Sequence, residues 1–205
     1  MANCKICFNS YQECSLHYLF NESTHICPKC LANLKPKFIE FSLDEIKGVA
    51  IYEYNEEIKK LIYQFKGCED YELKDVFLSP LVNDLRLLYK GYVLVPAPSF
   101  IDEDNPKKFA HVEEIFKVLN LEIVSLFKKT SNVKQASLHF NERQKIGDNI
   151  ELISELELRN KKILLIDDVS TTGATLKAMI NLLKKRGFKE CKILVIAKRI
   201  LHGSD

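Results

Sequence analysis

The chain has 205 residues, of which 46% are hydrophobic and 28% charged, with a formal net charge of +2. That length suffices for one α/β domain with a real core plus a small appendage, and no apolar run approaches the ~20 residues of a membrane span. So small a charge excludes a bulk electrostatic case for nucleic-acid binding and leaves only local grouping of the 30 Lys and Arg.

The N-terminus, MANCKICFNS, lacks the basic start and apolar stretch of a signal peptide, which predicts a cytoplasmic protein without membrane insertion. Residues 1–34 hold five of the seven cysteines and show no sustained periodicity. Cys4-x2-Cys7 and Cys27-x2-Cys30, 19 residues apart, have the spacing of a four-thiolate zinc site. In a reducing compartment the clustering argues for metal over disulfides. Cys14, His17 and His25 lie in the same stretch and are read as bystanders. The organisation predicted is a zinc finger over 1–34, a linker over 35–47 and an α/β domain over 48–205.

GVAIYEY (48–54) is a strand candidate, and EEIKKLIYQFK follows with Ile58, Leu61, Ile62 and Phe65 on one helical face. YELKDVFLSPLVNDLRLLYKG has helical spacing that Pro80 splits in two, with Ser79 as N-cap of the second half. YVLVPAP (92–98) is a short strand ended by two prolines. KKFAHVEEIFKVLN is a helix through Phe109, Val112, Phe116 and Leu119, and LEIVSLF another strand. Residues 128–150 are polar, an excursion over the top of a domain. KILLID and CKILVIAKR are continuous apolar strands, as expected when both faces of a parallel sheet are covered. Between them ATLKAMINLLKKRG is a helix with Leu176, Met179, Ile180 and Leu183 on one face and Gly187 at its end. Strands alternating with helices imply a parallel sheet.

The chemistry concentrates after KILLID. Asp167 and Asp168 stand at the C-terminal end of that strand, where open parallel sheets bind ligands. Ser170, Thr171, Thr172, Gly173, Ala174 and Thr175 then turn into a helix, a combination of backbone N–H groups, hydroxyls and a glycine suited to phosphate. Carboxylates accept from vicinal sugar hydroxyls, so a ribose phosphate satisfies both halves. An Asp helix cap followed by turn residues explains one aspartate and not the whole string. Neither G-x-x-x-x-G-K-[ST] nor G-x-G-x-x-G is present.

LLIDDVSTTGAT is similar to the phosphoribosyl diphosphate (PRPP) loop of type I phosphoribosyltransferases. With the four-cysteine knuckle, LIYQFKG, YVLVPAP, and Gln135 followed by NERQKIGDNI, nearly the whole chain resembles the ComF family. The resemblance implies a type I phosphoribosyltransferase-like parallel sheet flanked by helices, with a small N-terminal four-cysteine zinc finger. It assigns Asp167 and Asp168 to the ribose hydroxyls, and Thr171, Thr172, Gly173, Ala174 and Thr175 to the 5′-phosphate. Lys66, Gly67, Lys107 and Arg143 fall to the pyrophosphate. Structural Zn²⁺, and Mg²⁺ carried with PRPP, are the implied metals. Where family members carry R-G-F-N-Q, this chain has KKFAH: Lys107 loses the bidentate fork, and Ala110 and His111 replace the amide pair. His111 is read as a packed histidine, not an acid–base group.

The function implied is a PRPP-binding protein of natural transformation that handles incoming single-stranded DNA. Lysine pairs 107–108, 128–129 and 184–185, near Phe109, Phe127 and Phe188, are candidate contacts. A nucleotide-salvage phosphoribosyltransferase is the first alternative. The second is a PRPP-responsive scaffold whose knuckle docks a helicase-like partner. No segment announces an acceptor base or a catalytic residue.

Overall fold

The computed structural model describes residues 1–12, 25–99, 110–129, 150–154 and 157–200. A five-stranded sheet organises them. Its strands are β3 (Ile39–Leu43), β4 (Ile46–Glu53), β5 (Tyr92–Pro96), β8 (Lys162–Ser170) and β9 (Glu190–Lys198), in the order β3-β4-β9-β8-β5. β3 is antiparallel to β4, and every other pairing is parallel. Two short strands, β1 (Ala2–Asn3) and β2 (Ser10–Tyr11), pair in the N-terminal region, and β6 (Phe127–Lys129) pairs with β7 (Ile150–Leu152).

The buried strands alternate between two cores, as a pleated strand covered on both faces must. On β8, Leu164 and Ile166 enter one core while Ile163 and Leu165 enter the other; on β9, Leu194 and Ile196 oppose Ile193 and Val195. The first core is closed by α2 (Glu56–Gly67), a 3₁₀ turn (Tyr71–Asp75), α3 (Val82–Leu88) and α4 (His111–Phe116). The second is closed by α5 (Ala174–Arg186) with β6 and β7.

The two long helices follow their sequence pattern. α2 buries Ile58, Leu61, Ile62 and Phe65, and Asn55 caps it by accepting from the Ile58 N–H at 2.9 Å. α5 buries Leu176, Met179, Ile180 and Leu183 and ends at Gly187, whose φ of 78° no β-carbon would favour.

Four elements differ from expectation. The stretch 35–47, expected to be a linker, contains β3 and the start of β4, so the sheet begins at Ile39. Ile39, Phe41 and Leu43 do alternate inward, but the hairpin turns on Asp44 and Glu45, at φ 47° and 72°, with glutamate at the second position where glycine would have signalled a turn. Around Pro80 the chain makes two 3₁₀ turns, Tyr71–Asp75 and Ser79–Leu81, before α3. Ser79 thus sits inside a turn and caps nothing; its buried Oγ has no hydrogen-bond partner among the described residues. The described part of the next helix, α4, gives way to a 3₁₀ turn at Lys117–Leu119. The strand expected at 121–127 only brushes β5, through Leu94 N–H to Glu122 O and Val124 N–H to Leu94 O, and ladder pairing begins at Phe127.

The N-terminal region packs on the first core. Cys4, Ile26, Cys27, Cys30 and Leu34 are buried in one cluster with Phe65, Leu73 and Phe77, and α1 (Pro28–Asn33) carries Cys30. Lys5 adds ion pairs to Asp75 at 3.1 Å and Glu72 at 3.3 Å.

Candidate functional site

β5 stops at Pro96, paired with Ile166, while β8 runs on to Ser170. The aspartates therefore project past the end of a neighbouring strand. A cleft of about 340 Å³ opens there, walled by Ala97, Pro98 and Ser99 after β5, by residues 167–176, and by Lys66 and Lys129 from the two sides.

Asp168 is 6% exposed, and with Ser170 it is one of two buried polar residues in the described chain. Its Oδ1 accepts from the Val169 N–H at 2.6 Å, and its Oδ2 is ion-paired with the Lys66 ammonium at the end of α2. Asp167 Oδ1 accepts from the Asp168 N–H at 2.9 Å. Burial and the adjoining Asp168 charge push the Asp167 carboxyl up to about 7, against the pull of the Asp168 N–H, Lys66 and Lys129. The pair thus carries fewer than two full negative charges near neutrality.

The loop after the pair is shaped by Gly173. Its φ of 73° favours glycine, and a β-carbon there would stand 2.8 Å from Leu43 Cδ1 of β3. Thr172 Oγ1 accepts from the Ala174 N–H at 3.4 Å as α5 begins. Ala174, Thr175 and Leu176, the first turn of a 13-residue helix, line the cleft, and an anion at such a helix start gains from the dipole. Ser170 Oγ, 98% buried on the cleft wall, has no partner among the described residues.

Asp167, Asp168, Thr171, Thr172, Gly173, Ala174, Thr175 and Lys66 thus line one cleft. Gly67 lines a neighbouring cleft of about 560 Å³ along α2, with Tyr54, Glu56, Lys59, Lys60, Ile62, Tyr63 and, again, Lys66. The Tyr63 ring lies over the Gly67 Cα, where a β-carbon would approach it to 3.0 Å. Lys107 and Arg143 lie outside the described residues, as do Cys14, His17 and Gln135. His111 packs edge-on to Phe65 at 5.5 Å between ring centres. The cleft also brings in Lys129, known from sequence only as one of a lysine pair, and Leu43 beneath Gly173, which nothing local marks; Ser170 already stands in the hydroxyl string.

The four cysteines form a second centre. The Sγ atoms of Cys4, Cys7, Cys27 and Cys30 all lie within 4.8 Å of one another, and Cys7 and Cys27 are 3.7 Å apart. Tetrahedral zinc–thiolate bonds of ~2.3 Å place sulfurs about 3.8 Å apart, so these residues fit the metal. Burial works against the Cys4 thiolate, but hydrogen bonding from the backbone of Cys27, Cys7 and Ile6 more than offsets it and brings the thiol down to about 7. Burial, and then bonding to Cys27, Cys7 and Cys4, pushes Cys30 up. The Cys30 N–H points at Cys27 Sγ at 3.5 Å, and Pro28 starts the short helix between them.

No described helix is long and apolar enough to cross a membrane. Residues 107–201 match the family model for the phosphoribosyl transferase domain. The chain is 19% identical to a hypoxanthine phosphoribosyltransferase from Staphylococcus aureus (62% of this chain, 73% of that one, TM-score 0.40). It is 22% identical to a purine phosphoribosyltransferase from Pyrococcus horikoshii (61% and 72%, TM-score 0.39). Sheet, loop and domain match define a type I phosphoribosyltransferase-type protein. Over 179 residues, 84% of this chain and 80% of the other, it is 31% identical to the competence protein ComFC of Streptococcus pneumoniae. The chain belongs to the ComFC family of competence proteins.

Two outcomes are expected. A raised Asp167 pKa means that the folded chain holds a proton the unfolded chain releases near 3.8, so this contribution favours folding at low pH and is lost as pH rises through about 7. Asp167→Asn should therefore stabilise the protein on the order of 1–3 kcal/mol at pH 8 and far less at pH 5, read by urea unfolding at both values. The purified protein should carry one zinc per chain by elemental analysis. Cys27→Ser with Cys30→Ser should abolish it and lower the melting temperature, because buried thiols lose the ion that joins them.

Proposed function

We propose that the chain is a cytoplasmic PRPP-binding protein of natural transformation that handles incoming single-stranded DNA. One observation carries the ligand half of this reading: a carboxylate pair and a glycine-shaped helix start converge on a single cleft, inside the 300–1,000 Å³ range of small-molecule sites. Asp167 and Asp168 accept from the ribose hydroxyls. The N–H groups and hydroxyls of Thr171, Thr172, Gly173, Ala174 and Thr175 take the 5′-phosphate, and the orphan Ser170 hydroxyl gains a partner. Lys66 serves the pyrophosphate end, with Lys107 and Arg143 in the roles the family resemblance assigns them. Mg²⁺ bound to PRPP would offset charge on the diphosphate. Zinc on Cys4, Cys7, Cys27 and Cys30 is structural, and a helicase-like partner would meet the knuckle at the exposed Phe8.

Support for the DNA half comes from the second cleft. Tyr63 is 66% exposed, and Tyr54 shares the same surface with Lys59, Lys60 and Lys66 against one acid, Glu56. Bases stack on aromatic faces while phosphates follow lysines, without regard to sequence.

Calorimetry with PRPP and Mg²⁺ should show saturable binding that Asp167→Asn with Asp168→Asn weakens at least tenfold; unchanged affinity removes the ribose assignment. A fluorescent single-stranded oligonucleotide should bind with steep salt dependence. Tyr63→Ala should cost about 1–3 kcal/mol of that binding while leaving PRPP affinity intact, whereas no binding at low salt removes the DNA role.

A further inference from the structure

We propose that PRPP and single-stranded DNA bind this chain antagonistically, because the two clefts share one ammonium, that of Lys66. The inference rests on the ligand readings above and adds to them how one ligand governs the other.

Among the described residues, Lys66 alone lines both clefts. On one side it stands with Asp167, Asp168 and the loop at 171–175, on the other with Tyr54, Lys60 and Tyr63. Lys59, Tyr63 and Lys66 recur at helical spacing along α2, so the exposed ring and the ammonium lie about one turn apart on one face. The second cleft holds little uncompensated positive charge. Lys59 is paired with Glu56 at 3.3 Å and Lys66 with Asp168, which leaves Lys60 as its one lysine without a carboxylate partner among the described residues. A strand laid along this cleft therefore depends on what Lys66 can still offer. An ammonium has three donors, and the Lys66 side chain is 38% exposed, so it can meet a DNA phosphate without leaving Asp168. With PRPP bound, the diphosphate meets the same ammonium and brings negative charge to the boundary between the clefts. A nucleic-acid phosphate arriving from the other side then faces a neutralised lysine and like charge, well inside the ~10 Å over which salt screens such repulsion.

The test is the affinity of a fluorescent thymidine oligonucleotide for the full chain, alone, with saturating PRPP and with saturating ribose 5-phosphate, at fixed Mg²⁺ and matched ionic strength. PRPP should weaken binding about fivefold or more. It should also make the dependence of log affinity on log salt shallower by about 0.7, the share of one phosphate contact on a single strand. Ribose 5-phosphate, which has no anion on C1, should weaken binding less than about twofold. By linkage the oligonucleotide should lower PRPP affinity by the same factor, read by calorimetry. Lys66→Met should show the shallower salt dependence with no PRPP present; Lys66→Gln takes its place if circular dichroism shows misfolding. Unchanged or tighter DNA binding in PRPP overturns the proposal, as does an equal effect of the two sugar phosphates or an unaltered salt dependence in the Lys66 variants. A wild type that fails to bind PRPP alone, or the oligonucleotide alone, overturns that underlying reading instead, which sets the two failures apart.

Discussion

Two adjacent carboxyl groups at the open end of an interior strand, answered by one ammonium from a helix covering the sheet, are the constraint around which this molecule is arranged. Such a pair is costly to bury. The chain meets that cost with local N–H donors and with Lys66, 102 residues away in sequence. Where the ammonium stands is set by apolar packing. Ile58, Leu61, Ile62 and Phe65 seat one face of α2 on the sheet, and the residue after Phe65 emerges at the cleft. A core decision therefore fixes an electrostatic one.

The parts of the fold that were legible in the sequence are those where local preference and tertiary packing agree. KILLID, CKILVIAKR and the helical faces of α2 and α5 each carry enough periodicity to stand alone. The acid pair and the hydroxyl loop were legible for the same reason, since ligand chemistry there is contiguous in sequence. What escaped was decided by distance or by unusual backbone. No pattern links Lys66 to Asp168, or Leu43 to Gly173. The hairpin between β3 and β4 turns on Asp44, which suits a left-handed φ, and on Glu45, which stands where glycine is the usual signal. The turns around Pro80 keep helical spacing of apolar residues but close tighter than an α-helix.

The cysteine region illustrates a different limit. Its spacing announced the ligands, yet gave no hint of where the cluster would rest. It packs beside α2 and the Tyr71–Asp75 turn, tied by Lys5 to Asp75 and Glu72. The helix that delivers Lys66 is thus packed on one side against the sheet and on the other against the region where the four cysteine sulfurs converge.

The contact between Leu43 and Gly173 has one more implication. β3 is an outer strand joined only to β4, the kind of element most readily peeled away or recruited by an approaching chain. Here its last residue lies against the Gly173 bend, the proposed phosphate cradle. Anything that grips this border of the sheet touches that bend from underneath, and the bend cannot change shape without pressing back on that border.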